Sequence, residues 1–193
     1  MALPIITYGY SILQKPCNDV PAPSEELDTL IKNMWKCMDQ AGGVGLAAPQ
    51  VNSNLKVFIV NSKIMYDDLS DDKRKAIFPN DEGIIETFIN AKIITRSDKT
   101  WSDYEGCLSI PDITEQVERS WEIIVEYQDT DFKLHKKLFS GYTAKVIQHE
   151  FDHTAGILFI DHLSSLKKKL LSSKLKKISA GKFKTSYRTK FSN

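Results

Sequence analysis

The strongest hydrophobic pattern in the chain lies between Ser24 and Gly42. Ser24 is a favourable N-cap, Glu25 suits the first turn of a helix, and Gly42 provides a stop signal. Between them, apolar side chains recur at intervals of three and four residues, which places them on one helical face: Leu27, Leu30, Ile31, Met34, Trp35 and Met38. The pattern therefore predicts an amphipathic N-terminal helix that packs into the core.

The middle of the chain consists mostly of short apolar segments separated by polar turns. Residues 62–83 are polar and acidic, and we interpret them as a solvated surface loop with one helical turn. The short apolar run at 157–160 predicts a strand, and Asp129-Thr130-Asp131 predicts a hairpin turn. Enrichment in β-branched and aromatic residues predicts the other strands, at 56–61, 87–95, 116–119, 122–128 and 133–139.

Two further helices are expected, from about Tyr142 to Ala155 and from about Leu163 to Ile178. The order of helix, strands and helix predicts an α+β fold, with mixed or antiparallel sheets packed around the helix at 142–155. We expect a single domain over residues 1–193, with a catalytic body at 1–161 and a basic C-terminal helix and tail at 162–193. We expect the last helix to dock on the body of the protein through an apolar stripe: Leu163, Leu166, Leu170, Leu171, Leu175 and Ile178.

Composition places the chain among ordinary globular proteins, with 41% hydrophobic and 26% charged residues in 193. No apolar run approaches the roughly 18 residues of a membrane span, and the N-terminus does not resemble a signal peptide. Cys17, Cys37 and Cys107 are odd in number and widely spaced, which suits reduced thiols. We therefore expect a cytoplasmic protein with no membrane partner, and we take a monomer as the default state.

The net charge of +1 hides a strong asymmetry along the chain. Ten basic residues and no acidic residue follow Asp161, whereas residues 1–161 carry 16 basic and 25 acidic side chains. One interpretation is a solvated helix face that has no partner. The other is electrostatic attraction of the C-terminal helix to a polyanion.

The candidate chemistry centres on Gln148-His149-Glu150-Phe151-Asp152-His153. On a helix, His149 and His153 stand at i and i+4 on one face, where both imidazoles can reach one divalent metal. Glu150 is one residue round from His149, so it can reach a water at the metal without being a ligand. The alternative is a pair of hydrogen-bonded core histidines with an exposed Glu150.

A third ligand is needed for a catalytic site of this kind. Asp161 and His162 lie downstream, but we interpret them as helix-cap residues. Cys107 follows Gly106, which allows close approach of the backbone. A Cys/His/His set would leave a fourth position for water.

Three separated motifs resemble those of the peptide deformylase family, in the same order: Gly43-Val44-Gly45-Leu46-Ala47-Ala48-Pro49-Gln50, Glu105-Gly106-Cys107-Leu108-Ser109 and Gln148-His149-Glu150-Phe151-Asp152-His153. The resemblance extends over residues from about 5 to 170. It implies hydrolysis of N-formyl-methionyl nascent peptides to formate and a free N-terminus. The family usually has Leu where Thr154 follows the second histidine; a threonine here can bond back to a carbonyl or shorten the last turn, and we expect activity to survive.

The resemblance also implies a role for each motif residue. Cys107, His149 and His153 would hold the metal, natively Fe2+, with Zn2+, Ni2+ or Co2+ able to take its place. Glu150 would be the general base, and Gln50 with the Leu108 backbone N–H would stabilise the oxyanion. For substrate binding, the candidates are Gly45, Val44, Leu46, Glu105, Tyr142 and Val146.

Two other classes of function remain as alternatives. A general metallopeptidase could use the same metal helix, although its third ligand usually lies downstream. A catalytically silent module could use its metal only for folding, but such a protein would need neither Glu150 nor Gln50. Family resemblance also makes ribosomal RNA a candidate partner of the basic C-terminal helix.

Overall fold

The computed structural model describes residues 3–67 and 69–191. Its four α-helices are α1 (Glu25–Ala41), α2 (Asp71–Ile77), α3 (Gly141–Thr154) and α4 (Ser165–Ser179). The strands are β1 (Ile5–Ile6), β2 (Gly45–Ala47), β3 (Val57–Asn61), β4 (Ile85–Arg96), β5 (Thr100–Cys107), β6 (Ile110–Ser120), β7 (Glu122–Gln128), β8 (Leu134–Ser140) and β9 (Thr189–Lys190). Short 3-10 helices cover Ser11–Gln14, Ala48–Val51, Lys63–Met65 and Phe159–His162. The predicted α+β class is confirmed.

In the part of the chain that the structure describes, the strands form three separate sheets. Strands β2, β3, β4, β7 and β8 make one antiparallel sheet in that order, and β5 pairs with β6 as a long antiparallel hairpin. Strand β9 pairs in parallel with β1, which joins the two ends of the chain. The C-terminal tail is therefore held by backbone pairing with β1.

Helix α1 has the limits that its capping residues predict. The Ser24 hydroxyl accepts a hydrogen bond from the Leu27 N–H at 3.2 Å, and Gly42 ends the helix in the left-handed conformation at φ 67°. Its apolar face is buried against β2 and β3 in a cluster that includes Met34, Leu46 and Ile59. The amphipathic pattern is thereby confirmed.

Helix α3 lies at the centre of the molecule and contacts β2, β3, β6, β7 and β8. Twelve of its fourteen residues are buried, although many of them are polar. A helix buried on all sides needs partners for its polar groups. Gln148 is an example of such a polar group with partners, because its side-chain amide bonds to the backbone of Ser120 and to Ala144 O.

One prediction from the hydrophobic pattern is wrong, and a second is correct only in part. The apolar run at 157–160 leads into a 3-10 helix, because Leu158, Phe159 and Ile160 bury their side chains against β6 within a single tight turn. Only part of the stripe predicted for the last helix is buried: Leu163, which lies before α4, and Leu171, Leu175 and Ile178 on α4 are in the core, but Leu166 and Leu170 are 69% and 72% exposed. The segment before residue 107, for which we predicted no strand, forms β5.

Within the described ranges, every helix is too short or too polar to cross a membrane.

Candidate metal centre and active site

The three predicted ligands come together from two elements. Cys107 ends β5, while His149 and His153 stand one turn apart on α3, and a ligand atom from each lies within 4.8 Å of the others. Cys107 Sγ lies 3.2 Å from His153 Nε2. Both histidines are buried, and Cys107 is partly exposed to the cleft. The hairpin β5–β6 thus delivers the thiol to the face of α3 that carries the two imidazoles.

Glu105 orients the first histidine. Its Oε2 lies 2.8 Å from His149 Nδ1, so the other ring nitrogen, Nε2, is left for a metal. The same carboxylate accepts two hydrogen bonds from Arg119, at 2.8 Å from Nε and 3.0 Å from Nη2. Glu105 lines the cleft, but its carboxylate is already committed to these two partners.

Arg119 is a site residue that we did not predict. It is buried on β6, where its guanidinium also binds Asp152 at 2.5 Å, and Asp152 in turn lies 2.7 Å from His162 Nε2. A buried arginine of this kind is stable only when its charge is paired. The alternation of side chains along the strand is the signal that could have identified Arg119 as buried, because Arg119 lies on the same buried face of β6 as Val117.

Neither Asp161 nor His162 belongs to the cluster of candidate metal ligands. Asp161 accepts a hydrogen bond from the Leu158 N–H at 2.9 Å, so it caps the 3-10 helix as expected. His162 bonds to Asp152 instead of capping. The Thr154 hydroxyl donates to Phe151 O at 2.7 Å, so of the two alternatives for this residue the bond back to a carbonyl is the one observed.

Burial and charge act against each other on the ionisable groups of the site. Burial raises the pKa of the Cys107 thiol, but His153 and His149 outweigh it and lower that pKa to about 5. Burial likewise raises the pKa of Glu105, and hydrogen bonds from His149 and Arg119 outweigh it and hold that pKa well below its usual range. A thiolate beside two oriented imidazoles is a donor set suited to a divalent transition metal.

Glu150 is buried beside the ligands and packs against Gly45. A Cβ on Gly45 would lie 2.7 Å from Glu150 Cδ, so glycine is what lets the carboxylate occupy this place. Burial raises the pKa of Glu150 to about 7, with the charges of His149 and His153 opposing that rise. Glu150 Oε2 is buried without a hydrogen-bond partner among the residues that the structure describes. A buried acceptor of this kind is costly unless a ligand completes it.

Gln50 points its amide towards the thiol. It lies in the 3-10 helix Ala48–Val51, where its Oε1 accepts from the Ala47 N–H at 2.8 Å. Its Nε2 then lies 3.5 Å from Cys107 Sγ and 3.2 Å from Ser109 Oγ. The side chain is therefore fixed with its donor group facing the same turn that carries Leu108.

A cleft of about 520 Å³ opens over these groups. Cys107, His149, Glu150, Gln50 and Leu108 line it, together with Val44, Gly45, Tyr142 and Val146 from the predicted substrate-binding set. Leu46 does not line it, because its side chain is fully buried in the cluster under α1. Residues 184–187 of the C-terminal tail form a further wall of the cleft, which we did not predict.

The residues present fit a catalytic metal site. Cysteine and two histidines converge, Glu105 fixes one imidazole, and Glu150 leaves a buried oxygen without a partner among the described residues. A purely structural metal site would be closed by a fourth protein ligand and would not need Glu150. Of the three candidate ligands, Cys107 and His149 instead line a cleft that a substrate can enter.

Comparison with known proteins agrees with this geometry. The sequence model of the family described as polypeptide deformylase matches residues 2–169. The chain belongs to the peptide deformylase family. A peptide deformylase from Christiangramia forsetii is 44% identical over 195 residues, covering 100% of this chain and 97% of that protein.

Solved deformylase structures share the fold. A peptide deformylase from Ehrlichia chaffeensis superposes with a TM-score of 0.82 at 28% identity, covering 94% of this chain and 98% of that one. A class I type b peptide deformylase from Acinetobacter baumannii, with Met-Ala-Ser bound, gives 0.73 at 31% identity and covers 84% of this chain and 99% of that one. The predicted fold class and family are therefore both confirmed.

Proposed function

We propose that Cys107, His149 and His153 hold one divalent metal ion and that Glu150 acts beside it as the general base. The protein is a metal-dependent peptide deformylase, which removes the N-formyl group from the formyl-methionine of newly synthesised polypeptides and releases formate. The observation that carries the residue assignment is the buried Glu150 carboxylate. Its Oε2 has no partner among the described residues, although the three candidate ligands lie close enough to shift its pKa.

Each chemical step then has a group to perform it. A divalent ion, when bound, supplies a Lewis acid for the formyl carbonyl and lowers the pKa of a water molecule. Glu150 takes the proton as water attacks the formyl carbon, and it delivers that proton to the methionine nitrogen as the C–N bond breaks. The products are formate and a free amino group.

Gln50 and Leu108 are proposed to stabilise the oxyanion that develops on the formyl oxygen. The Gln50 amide is held by Ala47 and Ser109 with its Nε2 beside the thiol, so the side chain is already oriented towards the site before substrate binds. The Leu108 N–H follows the cysteine ligand directly in the chain. Preorganised donors are effective because they act on charge that appears only in the transition state.

The cleft suits an extended peptide with an N-terminal methionine. Strand β2 lies at the edge of the five-stranded sheet, so the backbone at Gly45 can pair with a peptide strand. Val44, Tyr142 and Val146 offer an apolar wall for the methionine side chain. We assign Glu105 to the orientation of His149, since its carboxylate is already paired.

Fe2+ is proposed as the native metal, and Zn2+, Ni2+ or Co2+ would be held by the same ligands. The donor set of one thiolate and two imidazoles accepts all four ions, so affinity and supply decide between them. We propose that the enzyme acts in the cytoplasm on nascent chains. We propose a monomer with one domain over residues 1–193.

The basic face of α4 is proposed as a contact with ribosomal RNA. Lys169, Lys174, Lys176 and Lys177 are exposed, and the leucines Leu166 and Leu170 lie exposed among them. Ribosome co-sedimentation over a salt series tests this proposal. A Lys169→Gln, Lys174→Gln, Lys176→Gln variant should bind less, and Lys73→Gln, Lys75→Gln on α2 is the control. Equal binding of all three proteins would refute the contact.

Anaerobic purification with metal analysis, followed by formate release from a formyl-Met peptide, tests the residue assignment. Wild type should release formate, and Glu150→Ala should retain its metal but lose activity by at least about 100-fold. Release of amino acids from unformylated peptides would instead indicate a general metallopeptidase. Full activity of Glu150→Ala would overturn the assignment of the base.

A further inference from the structure

The C-terminal segment 182–191 returns across the molecule after α4. Gly181 turns the chain at φ 70°, and β9 then pairs with β1. The Ile5 N–H donates to Arg188 O at 2.9 Å, and the Thr7 N–H donates to Lys190 O at 3.0 Å. This backbone pairing fixes the segment independently of its side chains.

Between Gly181 and β9, residues 184–187 form one wall of the active-site cleft. Tyr187 is half-buried, and its ring packs against the cluster under α1. Its hydroxyl donates a hydrogen bond of 2.9 Å to Leu108 O. Burial, with the Cys107 charge adding to it, raises the pKa of Tyr187 to about 12, so the hydroxyl keeps its proton throughout the physiological range.

This hydrogen bond reaches the turn that carries the cysteine ligand. Ser109 O accepts from the Tyr8 N–H at 2.8 Å, so the far side of the turn is held by the N-terminal segment. Leu108 O is held by Tyr187 alone among the side chains for which a contact is described. The Leu108 N–H and C=O lie in the two peptide planes that meet at its Cα, with only the φ and ψ rotations of Leu108 between them. A restraint on the carbonyl plane therefore reduces the range of orientations open to the N–H relative to the site.

We propose that Tyr187 is a positioning residue for deformylation, which holds the Leu108 carbonyl and thereby aims the Leu108 N–H at the oxyanion. This inference rests on the oxyanion role proposed for Leu108. An oxyanion donor must lie about 2.7–3.1 Å from the developing charge, and a turn free to rotate holds that distance for only part of the time. The effect falls on the transition state, so kcat should change and KM should not.

Tyr187→Phe in the full metal-loaded chain tests the proposal, because it removes the hydroxyl and keeps the ring. We expect kcat for formate release from a formyl-Met peptide to fall about tenfold, with KM within about twofold and metal content unchanged. Tyr10→Phe is the matched control. The Tyr10 hydroxyl also bonds to the tail, at Phe191 O, but Tyr10 does not line the cleft, so its kcat should stay at the wild-type value.

Amide hydrogen exchange supplies a second measurement that does not depend on activity. The Leu108 N–H should exchange faster in Tyr187→Phe than in wild type, while Tyr10→Phe leaves it unchanged. Wild-type exchange and kcat in Tyr187→Phe, or an equal loss in both variants, would overturn the proposal. A wild type that releases no formate would refute the function instead, and exchange at Leu108 would still decide whether Tyr187 holds the turn.

Discussion

Asp81 accepts two hydrogen bonds from Thr143, one from its backbone N–H at 2.7 Å and one from its hydroxyl at 2.6 Å. Thr143 lies in the first turn of α3, and the N-cap residue Ser140 makes no side-chain capping bond. A carboxylate from a distant segment therefore caps the helix that carries the ligands, with favourable charge at its N-terminus. The segment 62–83 is thus more than the solvated loop that we predicted, because Asp81 is buried.

Removal of this cap should destabilise the protein. Asp81→Ala is expected to reduce the free energy of unfolding by about 2 kcal/mol, the upper end for an N-cap, because the Thr143 N–H is left without its acceptor in a buried site, although the Thr143 hydroxyl keeps its bond to Ser62. Asp67→Ala, in the exposed part of the same segment, is the matched control and should change it by less than about 0.5 kcal/mol. Denaturant unfolding of both variants at equal metal loading measures the difference, and equal midpoints would contradict the capping role.

Alkaline pH should weaken the fold through Cys17. Burial raises the pKa of its thiol to about 11, against 9.0 for an exposed thiol, and Lys56 opposes the rise. The unfolded chain therefore loses this proton first, and stability is lost as pH rises from about 9 towards 11. In thermal melts over that range, the melting temperature of Cys17→Ala should decline less steeply than that of wild type. The difference in melting temperature between the two proteins should be the same at pH 7 as at pH 8. Parallel curves up to pH 10.5 would exclude Cys17 as a cause.

Metal affinity should depend on Glu105. Glu105→Gln weakens the hydrogen bond that orients His149 and leaves Arg119 with less charge opposite it, so affinity is expected to fall about 10–100-fold. Glu115→Gln, on the neighbouring strand β6, loses only an ion pair with Lys167 and serves as the control. Competition with a chelator of known affinity gives both values. Equal affinity in the two variants would show that Glu105 does not support the ligand.

The features that sequence patterns predicted correctly are local ones. The limits of α1 follow from Ser24 and Gly42, and the two histidines share a face of α3 because they are four residues apart. The family resemblance strengthened the choice of Cys107 as the third ligand and supplied the role of Gln50, since neither is close to α3 in the chain. The strand predicted at 157–160 failed because a four-residue apolar run does not distinguish a strand from a buried turn.

The supporting contacts of the site could not be predicted, because their partners are distant in sequence. Asp81 is 62 residues from Thr143, and Tyr187 is 79 residues from Leu108. Each is an ordinary polar residue in its own segment, and only the tertiary fold gives it a partner. Arg119 is the exception, since its position on the buried face of β6 already indicated a charge that needed pairing.

Activity should depend on the absence of a side chain at Gly45. In Gly45→Ala the new Cβ would lie 2.7 Å from Glu150 Cδ, so the carboxylate must leave its place beside the ligands. A displacement of about 1 Å costs a general base on the order of 100-fold in rate, and we expect that loss in kcat with metal content unchanged. Gly43→Ala is the control, because its Cβ would meet the movable tip of Leu108 at 2.9 Å and, less closely, Met38 Cγ at 3.3 Å and Gly45 O at 3.4 Å, but not Glu150. Its kcat should fall no more than a few-fold, and a similar loss in both variants would mean that crowding of the cleft, not displacement of Glu150, limits the reaction.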